Sequence, residues 1–213
     1  MQSTQHIDFN FHPKCCALGV SHLAFADDVL LLCQCDTQSV SILNQQLLAF
    51  GRISGLDINA AKSSIYFGGV GESVKLAILH LTGFIERSFP FRYLGVPLSP
   101  HRLLASQFSP LLQKLESSVQ SWMGKHLSYA GRLELIRSVL HGMVQFWLSI
   151  FPIPGIVITK INRICRSFLW SSNSCSPHSA LVSWEKVCLP KQEGGLALLD
   201  IRARNKSFLA KQL

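Results

Sequence analysis

The first regular feature along the chain is a pair of acidic residues between two short apolar runs. From His22 to Cys33 the order is apolar, Asp27-Asp28, apolar, and each apolar run is too short for a helix. Two short strands joined at a tight acidic turn explain this order. The sequence therefore predicts a β-hairpin with both aspartates at its tip.

Helical spacing follows this hairpin. Asp36 or Thr37 can cap a helix that ends at Gly55, and a second helix is predicted over 72–81. A short strand over 65–67 lies between them, and the proline-containing stretch 89–98 is predicted to be extended or turned. The first hundred residues therefore mix strands and helices.

After residue 103 the pattern becomes helical. Apolar residues at helical spacing form one stripe: Phe108, Leu111, Leu112, Leu115, Val119 and Trp122. Ser128 can cap the next helix, whose stripe runs from Leu133 to Trp147. A third helix is predicted around 161–168, a serine-rich loop over 171–180, and a last helix capped by Asp200. The fold class predicted from the pattern is α+β.

One uncharged segment, residues 138–159, is long enough to span a membrane. It contains His141, Pro152 and Pro154, and it continues an apolar spacing that starts at Leu133. We therefore predict a buried helix that ends at the prolines, and no membrane contact.

Composition favours a folded, intracellular protein. Hydrophobic residues make up 48% of the 213 residues and charged residues 15%, which excludes global disorder. Mean hydropathy is +0.27, as expected if some apolar surface meets a missing partner segment. Seven cysteines without regular spacing or a signal peptide indicate a reducing compartment, nucleus or cytoplasm, rather than secretion.

Charge is distributed unevenly. Residues 1–83 carry a net charge of −2, whereas residues 84–213 carry +10, with 16 basic and 6 acidic side chains. A basic half favours weak, sequence-independent contact with nucleic acid, although a generic basic surface has the same composition.

The acidic pair has its own chemistry. Adjacent carboxylates repel each other, and either exposure at a turn or a divalent cation offsets that cost. Mg²⁺ takes a few carboxylate oxygens and leaves room for substrate phosphates. Without further context, an Asp-Asp turn is more often a simple turn than a catalytic one.

Five segments in order resemble the reverse transcriptases of non-LTR (LINE-type) retrotransposons. They are His22-Leu23-Ala24-Phe25-Ala26-Asp27-Asp28, Ser54-Gly55-Leu56 with Asn59 and Lys62-Ser63, Phe91 to Leu98, Leu127 to Arg132, and Trp184 to Leu196. The resemblance implies an RNA-directed DNA polymerase that uses Mg²⁺, deoxynucleoside triphosphates, an RNA template and a DNA primer.

The resemblance also implies roles for seven residues. Asp27 and Asp28 would be two of three metal-binding carboxylates, and Lys62 would lie near the incoming triphosphate, unless it is simply a solvated lysine. Tyr93 and Gly95 would lie near the primer terminus, and Arg132 and Arg137 would contact template–primer phosphates. Tyr93 and Gly95 are explained equally by a packed turn, and Arg132 and Arg137 by a solvated helix face, so both alternatives remain open.

The implied architecture has three parts. Residues 1–100 would be the C-terminal part of a polymerase palm, residues 101–155 a helical thumb-like region, and residues 156–213 a truncated zinc-binding-like region. In that last region the candidate zinc ligands are Cys165, Cys175, His178 and Cys188. Their spacing is poor for a zinc site, so we expect no tightly bound zinc.

The chain departs from the family in its first residues. A reverse transcriptase needs a third carboxylate from an earlier strand, yet Asp8 is the only acid before Asp27 and lies outside any motif. We therefore expect a partial polymerase that is inactive alone and needs an upstream segment. A non-catalytic nucleic-acid-binding module and a relic without function are the alternatives.

Overall fold

The computed structural model describes residues 8–170 and 182–212 of the chain. It combines helices with small sheets, in agreement with the α+β prediction. The chain divides into two compact units, Met1–Phe91 and Arg92–Leu213. The finer three-part organisation implied by the resemblance stays a prediction.

The first unit contains the predicted hairpin. Strand β1 (His22–Phe25) pairs antiparallel with β2 (Asp28–Leu31), with Phe25 opposite Asp28. A two-residue loop of Ala26 and Asp27 therefore closes the hairpin, and both aspartates lie at its tip, as predicted. A short 3₁₀ turn over Cys16–Leu18 precedes it.

Helix α1 (Thr37–Ser54) begins and ends at the predicted residues. The Asp36 carboxylate accepts hydrogen bonds from the Ser39 backbone N–H at 2.7 Å and from its hydroxyl at 2.9 Å. The same hydroxyl accepts from the Asn10 N–H at 2.9 Å, so the cap also holds the segment before the hairpin. Gly55, with φ 72°, ends the helix in the left-handed conformation that glycine adopts without strain.

A small parallel crossover follows α1. Its elements are β3 (Ser64–Ile65), α2 (Glu72–Thr82) and β4 (Ile85–Glu86). Strands β3 and β4 pair in parallel, and the Lys75 ammonium lies 2.7 Å from the Glu86 carboxylate. The predicted helix is confirmed. The strand predicted over 65–67 is found at Ser64–Ile65, so only Ile65 is common to both. Strand β4 was missed because two residues carry no periodic signal.

The first unit buries little apolar surface. Among its described residues, four hydrophobic side chains are buried: Phe9, Val40, Leu43 and Ile78. Eleven large hydrophobic side chains are exposed: Leu18, Leu23, Phe25, Val29, Leu48, Phe50, Ile53, Leu56, Leu76, Leu81 and Ile85. Exposed large hydrophobic side chains therefore outnumber buried ones among the described residues of this unit.

The second unit is mainly helical. Its first element pairs β5 (Phe91–Tyr93), which spans the boundary between the units, with β6 (Val96–Leu98). The helices are α3 (Ser109–Met123), α4 (Tyr129–Leu135), a π-helical segment (Ile136–Leu140), α5 (His141–Ile150), α6 (Gly155–Trp170), α7 (Trp184–Cys188) and α8 (Ile201–Ala210). Helix α5 ends before Pro152, as predicted. Within the described residues, no helix combines the length and apolar character needed to cross a membrane.

One continuous core holds the second unit together. Twenty-two buried hydrophobic residues among the described ones form it, with Phe108, Leu115, Leu148 and Ile161 completely or almost completely shielded from solvent. The stripes predicted on α3, α5 and α6 all face this core. Burying a side chain of this size contributes about 1.5–3 kcal/mol, so packing is the main source of stability in this unit.

A single buried carboxamide joins α8 to the turn between α5 and α6. The Asn205 amide nitrogen donates to the carbonyl oxygens of Leu148 and Phe151, both at 2.8 Å. Its Oδ1 accepts from the Ile153 N–H at 3.0 Å. Helix ends leave backbone groups without partners, and Asn205 supplies those partners inside the core.

The stretch before α8 is held by two further features. The Arg137 guanidinium donates to the Leu196 carbonyl at 3.0 Å. A Cβ at Gly195 would overlap the Leu189 backbone, so only glycine fits this turn. The Arg137 hydrogen bond ties the chain between α7 and α8 to the π-helical segment, and the close approach of Gly195 to Leu189 shapes the turn itself.

His141, the first residue of α5, is buried, and its Nε2 has no hydrogen-bond partner. Burial, with a smaller contribution from the nearby Arg137 charge, lowers the pKa of this imidazole to about 4. The ring is therefore neutral in the folded protein at physiological pH.

Replacing Asn205 with leucine should destabilise the protein by about 3 kcal/mol. The leucine keeps the volume but leaves two carbonyls and one N–H unsatisfied in the interior, at about 1–3 kcal/mol for each such group. Urea unfolding of both variants measures this, with Ser207→Leu on the exposed side of α8 as control. An Asn205→Leu protein as stable as the control would show that these hydrogen bonds contribute nothing.

Acid should destabilise the protein through His141. The folded-state pKa is depressed, so this stability is fully present above the unfolded value of 6.5 and is lost as pH falls towards 4. At pH 5 the loss amounts to about 2 kcal/mol. His141→Leu should remove this part of the pH dependence, and His101→Gln, at an exposed position, should retain it. Equal pH profiles for all three proteins would contradict the assignment.

Candidate functional site

The tip of the β1–β2 hairpin presents two carboxylates to solvent. Asp27 lies in the loop and Asp28 begins β2, and both are exposed. Ala26 adopts φ 51°, in the left-handed region that is unfavourable for residues with a Cβ. This conformation closes the two-residue loop, so that Asp27 lies in the loop and Asp28 directly after it.

The hairpin itself is uncovered. Cross-strand pairing places Leu23, Phe25 and Leu30 on one face, and Leu23 and Phe25 are 44% and 60% exposed. Val29, on the other face, is 39% exposed. No third strand pairs with β1 or β2 within the described residues. A two-stranded hairpin alone is marginally stable in water, so this one needs covering elements.

Lys62 lies just before β3, apart from the acidic pair. Its backbone N–H donates to the Asn59 carbonyl oxygen at 3.0 Å and to Asn59 Oδ1 at 3.1 Å, while its side chain is exposed. Among the described residues, no hydrogen bond or ion pair joins Lys62 to Asp27 or Asp28. Its ammonium is thus available to a ligand, but the structure does not bring it to the carboxylates.

The acidic tip supplies part of a divalent-cation site. Two adjacent exposed carboxylates suit Mg²⁺, which prefers oxygen ligands. Across the described ranges, however, no group of three or more acidic, histidine or cysteine side chains is close enough to hold an ion. The residues described therefore do not complete a metal site.

Tyr93 and Gly95, the predicted primer-side residues, belong to the β5–β6 hairpin. Tyr93 ends β5 and is half-buried. Leu94 and Gly95 form the turn with φ values of 51° and 83°. Gly95 is thus explained by backbone conformation, and its role near a primer stays a prediction.

The two predicted phosphate-binding arginines differ in availability. Arg137 donates to the Leu196 carbonyl and lies 3.3 Å from the Glu134 carboxylate, so its guanidinium has two partners within the chain, while 38% of its side chain is exposed. Arg132, on α4, is half-buried and makes no ion pair with the described residues. Neither role is tested by the structure, but Arg137 already has a structural one.

Two of the four candidate zinc ligands lie within the described residues. Cys165 is completely buried in the core, where burial raises the pKa of its thiol to about 12. Burial, with nearby Asp200 and Glu185, raises the pKa of Cys188 to about 11. Both thiols are therefore protonated near neutral pH. Cys175 and His178 lie outside the described residues, so the zinc prediction stays a prediction.

Helix α6 carries a basic face that was not predicted from the sequence. Lys160, Arg163 and Arg166 are exposed on this helix, for which only core residues were predicted. A signal was present in the sequence, because no acidic residue occurs between Glu134 and Glu185.

Comparison with known proteins gives two relatives, both from Arabidopsis thaliana. One, named "Putative ribonuclease H protein", is 33% identical over 116 residues, which are 54% of this chain and 19% of that protein. The other, an uncharacterized mitochondrial protein, is 32% identical over 66 residues, or 30% of this chain and 43% of that protein. No protein-family profile matches the chain. The chain is thus similar to parts of these two proteins and spans less than half the length of each.

Proposed function

We propose that this chain is part of a retroelement-derived RNA-directed DNA polymerase and that Asp27 and Asp28 bind catalytic metal when further polymerase segments are present. The observation that carries the proposal is the acidic pair at the tip of an apolar, uncovered hairpin. A solvated turn explains the exposure of the aspartates but not that of Leu23 and Phe25 beside them.

The comparisons support the retroelement origin at a coarse level. A relative named for ribonuclease H and a mitochondrial reading frame are typical of sequences derived from transposable elements. The named activity belongs to a protein of which this chain covers 19%, so it does not transfer to the chain. The finer assignment to a LINE-type reverse transcriptase rests on the five motifs.

Under this proposal the chain supplies two carboxylates, and another segment supplies the rest of the site. Bound Mg²⁺ would activate the primer hydroxyl and neutralise the leaving pyrophosphate. Asp27 and Asp28 would hold the ions, and Lys62 would neutralise the triphosphate. Positioning of the triphosphate in line with the primer comes from the additional segment, which also covers the hairpin.

The test is primer extension on an RNA template with Mg²⁺ and deoxynucleoside triphosphates. The chain alone should give no product, because electrostatic and positional terms each contribute several kcal/mol to catalysis and both are incomplete. A fusion to the upstream polymerase segment of a LINE-type reverse transcriptase should extend the primer.

Two matched substitutions in that fusion identify the metal-binding residues. Asp28→Asn removes a ligand charge while keeping the shape, and it should reduce extension by about 10³-fold or more. Asp57→Asn removes a charge at another exposed position of the same unit and should have little effect. Robust extension by the chain alone, or an active Asp28→Asn fusion, would refute the proposal.

A further inference from the structure

The exposed side of α6 carries three basic residues at regular spacing. Lys160, Arg163 and Arg166 are three residues apart, so each lies about 4.5 Å further along the axis than the one before. All three are exposed, while Ile161 and Cys165 on the opposite side are completely buried. The core thus fixes the direction in which the basic side chains point.

These charges are not neutralised inside the protein. None of the three makes an ion pair with any described residue. Helix α6 has no acidic residue, and none occurs between Glu134 and Glu185. Like charges at this spacing repel each other and weaken a helix. An anion bound across them would remove this cost.

Two of the basic side chains, Lys160 and Arg163, border a groove between α3 and α6. It has a volume of about 390 Å³ and is lined by Ser109, Leu112, Gln113 and Glu116 from α3 and by Lys160, Arg163, Ile164 and Ser167 from α6. Serine hydroxyls, an amide and two cations are the groups that bind phosphate oxygens in nucleic-acid complexes. Glu116 is the one acidic residue in this lining and would oppose such a ligand.

We infer that the α6 basic face and the adjoining groove form a contact surface for the sugar–phosphate backbone of a nucleic acid. The exposed basic residues indicate a polyanionic ligand, and the choice of nucleic acid as that ligand rests on the proposed function. The α6 basic face adds a second surface to the phosphate contacts predicted for Arg132 and Arg137, of which Arg137 also donates to Leu196 and pairs with Glu134. Phosphate contacts of this kind fix position without reading sequence.

Binding of the full chain to a fluorescent RNA–DNA hybrid, followed by anisotropy over a range of salt concentrations, tests the inference. The triple variant Lys160→Gln, Arg163→Gln, Arg166→Gln should weaken binding at least 10-fold at low salt. The slope of log affinity against log salt should fall by about 2–3, because each lost phosphate contact removes nearly one unit.

A matched triple variant distinguishes the effect of this surface on affinity from the effect of the total net charge. Lys125→Gln, Lys186→Gln, Lys191→Gln removes the same charge from exposed positions on other elements and should change affinity less than 3-fold. Equal effects of the two triple variants would overturn the inference, as would unchanged binding by the α6 variant.

Glu116→Gln provides a test of opposite sign that leaves α6 intact. Removal of the groove carboxylate should tighten binding about 2-fold to 5-fold, whereas Glu193→Gln, on an exposed turn elsewhere, should leave it unchanged. Unchanged affinity of the Glu116→Gln variant would contradict a role of the groove in binding.

Stronger binding to phosphatidylserine vesicles than to the hybrid would assign the surface to membranes instead. Binding can succeed while the fusion fails to extend primers, and the reverse, so the two proposals fail separately.

Discussion

The turn between α5 and α6, which directs the helices of the second unit around its core, depends on the hydrogen bonds of one buried carboxamide. The sharp turn between α5 and α6 contains prolines and leaves the carbonyls of Leu148 and Phe151 and the N–H of Ile153 facing the interior. Water cannot reach them there, and an unpaired backbone group in a core costs as much as a lost hydrogen bond. Asn205 satisfies all three and thereby brings α8 to this turn. The direction of α6, and with it that of its basic face, follows from the same turn.

The first unit lacks an equivalent core. Its capping network around Asp36 and Ser39 and its ion pair between Lys75 and Glu86 are local interactions, and few apolar side chains are buried beneath them. Local interactions of this kind contribute about 1 kcal/mol or less each, too little to order a unit of this size. The exposed apolar surface of the hairpin is therefore a candidate interface, and covering it would also stabilise the first unit.

The sequence predicted those elements whose signals are local. Asp36, Gly55, Ser128 and Asp200 lie at helix ends because capping depends on residues within one turn, and their effect is visible in the sequence. The π-helical segment before His141 and the five-residue helix α7 were not predicted. A π segment has the same apolar spacing as its flanking helices over so short a distance, and α7 is shorter than the window from which a periodicity can be recognised.

In the candidate site, too, features set by neighbouring residues were predicted, whereas features set by residues distant in the sequence were not. The place of Asp27 and Asp28 at a hairpin tip follows from neighbouring residues and is confirmed. The engagement of Arg137 depends on a carbonyl 59 residues away, and that of Asn205 on groups more than 50 residues away, so no local pattern reveals either. A basic residue in the sequence is therefore only a candidate for nucleic-acid contact until its internal partners are known.

The two proposed activities make different demands on this chain. Metal-dependent phosphoryl transfer needs several ligands fixed to within a fraction of an ångström, and the hairpin that carries Asp27 and Asp28 has neither a covering layer nor a paired edge among the described residues. Contact with a polyanion needs only exposed charge on a rigid support. Helix α6 meets that condition, because Ile161, Cys165 and Phe168 anchor it in the core on one side while the basic residues face solvent on the other. Nucleic-acid binding therefore requires less of any further segment than catalysis does.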